Sequence, residues 1–433
     1  MTDGTGQQDA AGQQQGNVSR RRLLASLGVL GAAGVAGGGF AGGYAVAQGR
    51  AAPEPGPASV SDQIVPFRTA HQGGIATAQQ AKMVFAAFQV TTKKPAELRA
   101  MLRDWTTAAE AMTRGQLVPG QFQPEAPPPD TGETAGLTPA NLTVTFGYGP
   151  GLFDRFGLAS RRPAALAPLP PLPLENFDPA FTGGDIAVQA CADDPTVAFH
   201  AVRNLARIAI GTAVPLWMES GFGRTASTGP AQATPRNLMG FKDGTRNIRS
   251  DQHDLLDQWV WIGADAGQDW LRGGTYLVTR RIQMFLNQWD RDDESDQEGV
   301  FGRYKTTGAP LTGIDEFDPP NFTATQSGRL VIPADAHIRL AAHETNNGLR
   351  ILRRGYSFTD GLDGTGNLLA GLFFVAFMRD PQQFVTLQRK LGSHDGLREY
   401  ISHIGGALFV CPPGLGSLPP GATLADQLFG TSA

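Results

Sequence analysis

Asp243 stands in GFKDGTRN (240–247), with a lysine before it and a glycine after it. A lone carboxylate so placed can take a proton from one atom and return it to another, the work of a general acid–base group. The same Asp-Gly pair can simply close a turn, because aspartate offers a side-chain acceptor and glycine tolerates positive φ. A second candidate is His337, in IPADAHIRLAAH (332–343). Ile338 and Leu340 alternate with Arg339 there, so the segment reads as strand-like and His337 can project from one face toward a cavity. A neutral imidazole facing a cavity is a metal ligand or a proton carrier, while a hydrogen-bonded core histidine is the plainer reading. The third is Arg353, which with Arg354 interrupts the apolar, aromatic-ended LRILRRGYSF (349–358). An arginine in a half-buried site needs an anion, and Asp243 or an anionic substrate would supply one. The alternative is an edge strand kept soluble by its charges.

The other histidines offer less. His200, His394 and His403 fall in or beside helical patterns and His253 in a polar run, where a solvated or hydrogen-bonded ring is ordinary. The two cysteines, Cys191 and Cys411, make no CxxC and no metal-ligand cluster, and each sits in an apolar strand-like run as a buried small hydrophobe. Zinc, iron–sulfur and covalently attached c-type haem therefore lack their usual signatures.

The elements that must hold these side chains belong to a chain of 433 residues, 41% hydrophobic and 18% charged, long enough for two cores. Its formal charge of -4 gives no electrostatic footprint for nucleic acid. Residues 1–47 read as a twin-arginine signal peptide. Arg20, Arg21 and Arg22 precede a weakly apolar Ala/Gly-rich stretch that ends in Ala45-Val46-Ala47, a small-residue cleavage pattern. Export, to the periplasm, cell envelope or medium, follows. Because that route carries folded proteins, often with a cofactor already inserted, a cofactor is worth seeking.

Residues 48–61 read as a linker, and the Pro- and Gly-rich stretches 116–139 and 159–184 as long surface loops. KMVFAAFQV (82–90), NLTVTFGYG (141–149) and DIAVQACA (185–192) have the composition of buried strands. A helix is predicted from Pro95 to a stop at Gly115, with Leu98, Met101, Leu102, Trp105 and Met112 on one face, and Asp194-Pro195 opens another. The strand-then-helix grammar returns in GLFFVAFMRDPQQFVTLQRKL (371–391), where Ala190/Ala376, Asp194/Asp380, Pro195/Pro381, Arg203/Arg389 and Leu205/Leu391 match at a constant offset of 186. An internal duplication follows, with two similar α+β domains, 62–245 and 246–433, and a boundary close to Asp243.

Taken in order, HQGGI (71–75), GFKDGTRN, GRYK (302–305), DAHIRLA (335–341), ILRRGYSF (351–358), GLFFVAF (371–377) and YISHIGGALFVCPPG (400–414) resemble the dye-decolourising peroxidases, most of all their exported, twin-arginine-carrying subgroup. The resemblance spans the mature chain. It implies two ferredoxin-like α+β domains, each an antiparallel sheet with flanking helices, and one haem b per chain between the sheet and helices of the second. His337 matches the proximal iron ligand and Asp243 the distal aspartate. Arg353 matches the distal arginine, Asn247 a distal amide that can hold an ordered water, and Arg303 a partner for a haem propionate.

The activity implied is reduction of hydrogen peroxide through a high-valent iron-oxo state, with oxidation of dyes, phenols or other small reductants; a homo-oligomer is compatible with it. Asp243 would shuttle the peroxide proton, Arg353 would stabilise charge on the leaving oxygen, and His337 would supply axial electron push. An ordinary aspartate titrates near pH 4, which sets an acid working range for such a shuttle. Where many relatives carry an aspartate that partners the proximal histidine, this chain has Leu369, so Asp335 or a backbone carbonyl must substitute. Dyes too large for a buried haem edge would be oxidised through Trp259, Trp261, Trp270, Trp289, Tyr304, Tyr356 or Tyr400, each of which also reads as ordinary packing. Two other functions compete. A haem-handling protein that releases iron from haem needs the pocket and His337 but no efficient turnover. A carbohydrate-active enzyme would use paired acids from DRDDESDQE (290–298), a run that also reads as a solvated helix start.

Overall fold

A computed structural model describes residues 61–430, with Met1. The signal peptide read at 1–47 and nearly all of the linker lie outside the described residues. No helix among the described residues is long and apolar enough to cross a membrane.

The N-terminal half runs β1 (Lys82–Val90), α1 (Pro95–Met112), β2 (Thr143–Tyr148), α2 (Pro150–Phe153), β3 (Ile186–Ala192), α3 (Pro195–Ile208) and β4 (Ala213–Arg224). The C-terminal half continues with α4 (His253–Trp259), β5 (Thr275–Met284), α5 (Leu286–Trp289), α6 (Glu294–Phe301), β6 (Thr325–Gln326), β7 (Arg329–Leu330) and α7 (His337–Ala341). It closes with β8 (Leu352–Arg353), β9 (Tyr356–Leu362), β10 (Leu368–Met378), α8 (Gln382–His394), β11 (Ile401–Cys411) and α9 (Leu424–Phe429). Strand order is β2-β3-β1-β4 in the first half and β11-β5-β10-β9 in the second. Each reads fourth-first-third-second or its mirror, the antiparallel ferredoxin-like arrangement, and β3–α3 occupies the place that β10–α8 takes in the other half. That is the duplication seen at offset 186. The sheets join edge to edge, β4 to β9 and β11 to β2, so eight strands close a ring and leave few bare edges.

Period-two alternation then decides what faces the site. On β10, Phe373, Val375 and Phe377 fill the ring, while Leu372 and Phe374 look outward to the helices. On β5, Leu277 points into the ring and Ile282 and Met284 outward. Burial on both faces explains why these strands read as unbroken apolar runs. Local signals hold where they were strongest: Asp194 accepts from the amides of Thr196 and Val197 as the cap of α3, and Pro95 opens α1.

Three expectations change. The segment at His337 is one turn of helix, because five residues are too few for alternation to distinguish a strand. His403 lies within β11. β8 is an edge strand, yet its charges do not simply solvate it: Arg354, directly after it, is fully buried, and Arg353 turns to the opposite face, where it is half-buried.

Candidate active site

One cavity lies between the outward face of β5 and β10 and the helices α7 and α8, with about 1770 Å³ of empty space including its mouth. Ile282, Met284, Leu372 and Phe374 wall it from the sheet, and Ile338, Leu387 and Leu391 from the helices. Asp243, Asn247, Arg303, His337 and Arg353 all line it. The chain thus gathers residues spread over more than a hundred positions.

Asp243 sits in a turn that is also part of the site. Its amide donates to Pro235 O at 2.9 Å, and Gly244 follows at φ +121, where a Cβ would meet Ser227 N at 2.6 Å. Only glycine fits that backbone. The carboxylate is thereby aimed at Arg353, whose Nη1 lies 2.6 Å from Asp243 Oδ1. Asn247 reaches the backbone of Arg353. Its Oδ1 accepts from Arg353 N at 2.9 Å and its Nδ2 donates to Arg353 O at 2.8 Å, so the amide clamps the strand that carries the arginine.

His337 enters from the helix side. Its Nδ1 is 2.6 Å from Asp395 Oδ2, and Nε2 has no hydrogen-bond partner among the described residues. Burial disfavours the imidazolium, but the Asp395 carboxylate outweighs it and raises the pKa above the ordinary histidine value. Asp395 is buried after α8, and its other oxygen accepts from Leu397 N. It takes the place expected for Asp335 or a carbonyl. The side chain of Asp335 does not reach the ring; its carbonyl instead accepts from Gly396 N at 3.0 Å, beside Asp395.

Three arginines line the cavity together: Arg246, which pairs with Glu344, the buried Arg303, and Arg350. Burial and the charge of Arg246 lower the guanidinium of Arg303 to about 10, and Arg350 is lowered by the same two causes. Glu344, paired with Arg246, relieves part of this repulsion, and a further anion would relieve the rest. No group of three or more His, Cys, Asp or Glu able to hold a metal ion occurs among the described residues, so a metal here would rest on one imidazole and a ligand of its own.

The aromatic residues named from sequence divide. Trp289 and Tyr400 connect to the site: Phe301 lies 6.0 Å from the His337 ring, Trp289 packs on Phe301 at 5.7 Å, and Tyr400 on Trp289 at 4.9 Å. Trp261 stacks on His71 at 3.8 Å, Tyr356 is fully buried, and Tyr304 is exposed. The carboxylates of 290–298 open α6 and do not line the cavity.

Two family models match the chain, described as Dyp-type peroxidase, N-terminal, over residues 72–223 and Dyp-type peroxidase, C-terminal, over 234–416. A deferrochelatase of Escherichia coli strain K12 is 37% identical over 404 residues, covering 92% of this chain and 94% of the relative. Ferric DtpA from Streptomyces lividans superposes with a TM-score of 0.78 at 36% identity, over 86% of this chain and 98% of its own. A DyP-type peroxidase from Cellulomonas bogoriensis gives a TM-score of 0.75 at 38% identity, over 85% and 98%.

Proposed function

The chain belongs to the Dyp-type peroxidase family, and we propose that it reduces hydrogen peroxide at a single haem b seated against His337, with Asp243 and Arg353 handling the peroxide. As a member it is a haem-dependent oxidoreductase that takes hydrogen peroxide and a reductant. The donor set fits the group. An iron porphyrin is flat, apolar and carries two carboxylates; the cavity offers apolar walls, one imidazole with a free Nε2, and three neighbouring arginines.

A bound haem would supply a redox-active iron and a conjugated ring able to store oxidising equivalents. The remaining work falls to the chain. His337 would ligate through Nε2 while Asp395 holds Nδ1, fixing the ring's orientation and raising its basicity. Arg246, Arg303 and Arg350 would hold the macrocycle's carboxylates. Asp243, paired with Arg353, accepts the proton of one peroxide oxygen and returns it to the other, so that water can leave. Arg353 offers a permanent cation to the negative charge that develops on the departing oxygen. The observation that carries this reading is the 2.6 Å pair of Arg353 and Asp243 lining the same cavity as His337. Iron release from haem would need the pocket and the ligand but has no use for that pair.

An absorption spectrum of the purified protein, before and after one equivalent of peroxide, is the test. A Soret band that shifts and returns on adding a phenolic reductant supports the peroxidase. Bleaching with loss of iron supports haem handling, and absence of any band removes both. Export by the twin-arginine route, with dyes or phenols as reductants, completes the proposal. Replacing both Arg20 and Arg21 with Lys should leave folded protein in the cytoplasmic fraction, and undiminished export would refute that part.

A further inference from the structure

Glu316 lies outside every motif that carries the family resemblance, yet three hydrogen-bonded connections meet on it. Its carboxylate takes Lys242 Nζ, and Thr245 Oγ1 donates to it at 3.0 Å; these residues stand one before and two after Asp243. Its carbonyl accepts from Arg303 Nη1 at 3.0 Å, and the same Nη1 donates to Gly308 O at 2.6 Å. Gly308 has φ +79, and a Cβ there would lie 2.6 Å from Lys242 Cδ. The lysine stem therefore crosses bare backbone to reach its carboxylate.

We infer that Glu316 is a positioning residue, which ties the arginine facing the cofactor's carboxylate edge to the loop that carries Asp243, so that seating the cofactor and placing the proton shuttle are mechanically one event. The inference rests on the peroxidase reading of the site. Beside this brace, the Asp243 loop is held by the Asp243 amide, by the bridge of Arg236 to Lys242, by Arg353 and by the clamp of Asn247, none of which reaches Arg303. A second tie lies further off, where Arg236 donates to Gly240 O at 2.7 Å and to Thr306 O at 2.7 Å. That tie uses backbone carbonyls and fixes the far end of the loop. Burial pushes the Glu316 carboxyl up, but Lys242, Thr234 and Thr245 together hold it below the ordinary range, as for a carboxylate kept ionised by its contacts. A charge-assisted contact of this kind is about twice as strong as a neutral one, which suits a part that must not slip. A displacement of about 1 Å at a reacting group can cost on the order of a hundredfold in rate.

The competing explanation is a merely structural one, in which Glu316 secures a surface loop. Hydrogen exchange of the haem-loaded protein separates the two. In Glu316→Ala, amides of 240–247 should exchange roughly tenfold faster, the loss expected for one or two hydrogen bonds to a charged group, while those of 337–341 keep their wild-type rate. Cyanide association with the ferric protein, which needs a base to take the proton of hydrogen cyanide, should slow by a similar factor. Glu316→Gln keeps an acceptor for Thr245 but loses the charge for Lys242, and should fall between; it also carries the comparison if the Ala variant does not load. Arg303→Lys should raise exchange at 240–247 although Arg303 makes no hydrogen bond to those residues. Unchanged exchange at 240–247 with an unchanged cyanide rate, or equal loosening at 337–341, would overturn the inference. Neither readout depends on turnover, so a protein inert to peroxide would sink the peroxidase reading separately.

Discussion

Nδ1 of His337 lies 2.6 Å from Oδ2 of Asp395, 58 residues further along the chain. The contact joins α7 to the turn after α8 and leaves the other ring nitrogen free. It also leaves the chain without need of a carboxylate at position 369, where leucine stands.

Asp395→Asn should keep the fold and weaken the axial ligand. An amide cannot stabilise positive charge on the imidazole, so the ferric state loses support and the midpoint potential should rise. Partners of metal-bound histidines are typically worth 10- to 100-fold in affinity or activity, and haem loss to a scavenging apoprotein should accelerate within that range. Spectroelectrochemistry and the rate of haem transfer measure both. An unchanged potential would show that Asp395 only packs.

Asp395, like Arg246 and Arg350, is a part of the site that its local sequence does not reveal. Its context, HDGL at 394–397, is the same Asp-Gly signature that left Asp243 open between turn and chemistry, and nothing local says which side chain the carboxylate will meet. The weak signal was an aspartate directly after an amphipathic helix. The partner is set by how α7 packs on α8, a tertiary fact. The same holds for the bonds of Asn247 to the Arg353 backbone, which depend on where β8 is placed. What was legible had local causes. β1 matched its apolar run residue for residue, α3 began at the capped Asp194-Pro195, and the offset of 186 gave the two halves before any sheet order was known. The one-turn helix at His337 failed for the opposite reason, being too short to show a period.

Asn247→Ala tests the clamp. Removing the amide leaves the N–H and C=O of Arg353 without their partners, a cost of about 1–3 kcal/mol for each group that stays dry. Haem should remain bound while the rate with peroxide falls by roughly tenfold, since a shift of Arg353 by a fraction of an ångström loosens its contact with Asp243. Asn247→Asp accepts from the Arg353 amide but cannot donate to its carbonyl, and should recover part of the loss. Thermal unfolding together with stopped-flow absorbance distinguishes stability from rate, and a variant that loses stability alone would reduce Asn247 to scaffold.

Acid should destabilise the protein in a defined window. Burial, aided by the charge of Arg280, pushes His403 down to about 3. An unfolded histidine protonates near pH 6.5. The contribution of neutral His403 is therefore complete above about pH 6.5 and shrinks as pH falls toward 3, by up to roughly 1.4 kcal/mol per pH unit. Glu133 and Glu344, which burial pushes up but hydrogen bonds hold near 2, begin to lose their contribution only below the ordinary carboxylate range. Between pH 6.5 and about 4.5 histidine should dominate. Denaturant titrations in that interval should show a steep loss of stability in the wild type and a flatter one in His403→Gln. Equal slopes would place the acid sensitivity elsewhere.

The last prediction concerns the pair that carries the functional reading. Asp243→Asn preserves size and leaves the backbone at Gly244 untouched, so haem should be retained, while loss of the proton shuttle should slow the reaction with peroxide by about 10²–10⁴. Arg353→Leu removes the cation and leaves Asp243 without its 2.6 Å partner. Charge on the departing oxygen then loses its stabilisation, and the carboxylate loses the contact that aims it. Both single variants should therefore slow the reaction. If both groups act on one proton transfer, the double variant will be no slower than the worse single one, because residues that work as a unit are not additive. Stopped-flow measurement of all four proteins across pH gives the coupling directly. Strict additivity, or an Asn variant with the wild-type rate and profile, would reduce Asp243-Gly244 to the turn its sequence also describes.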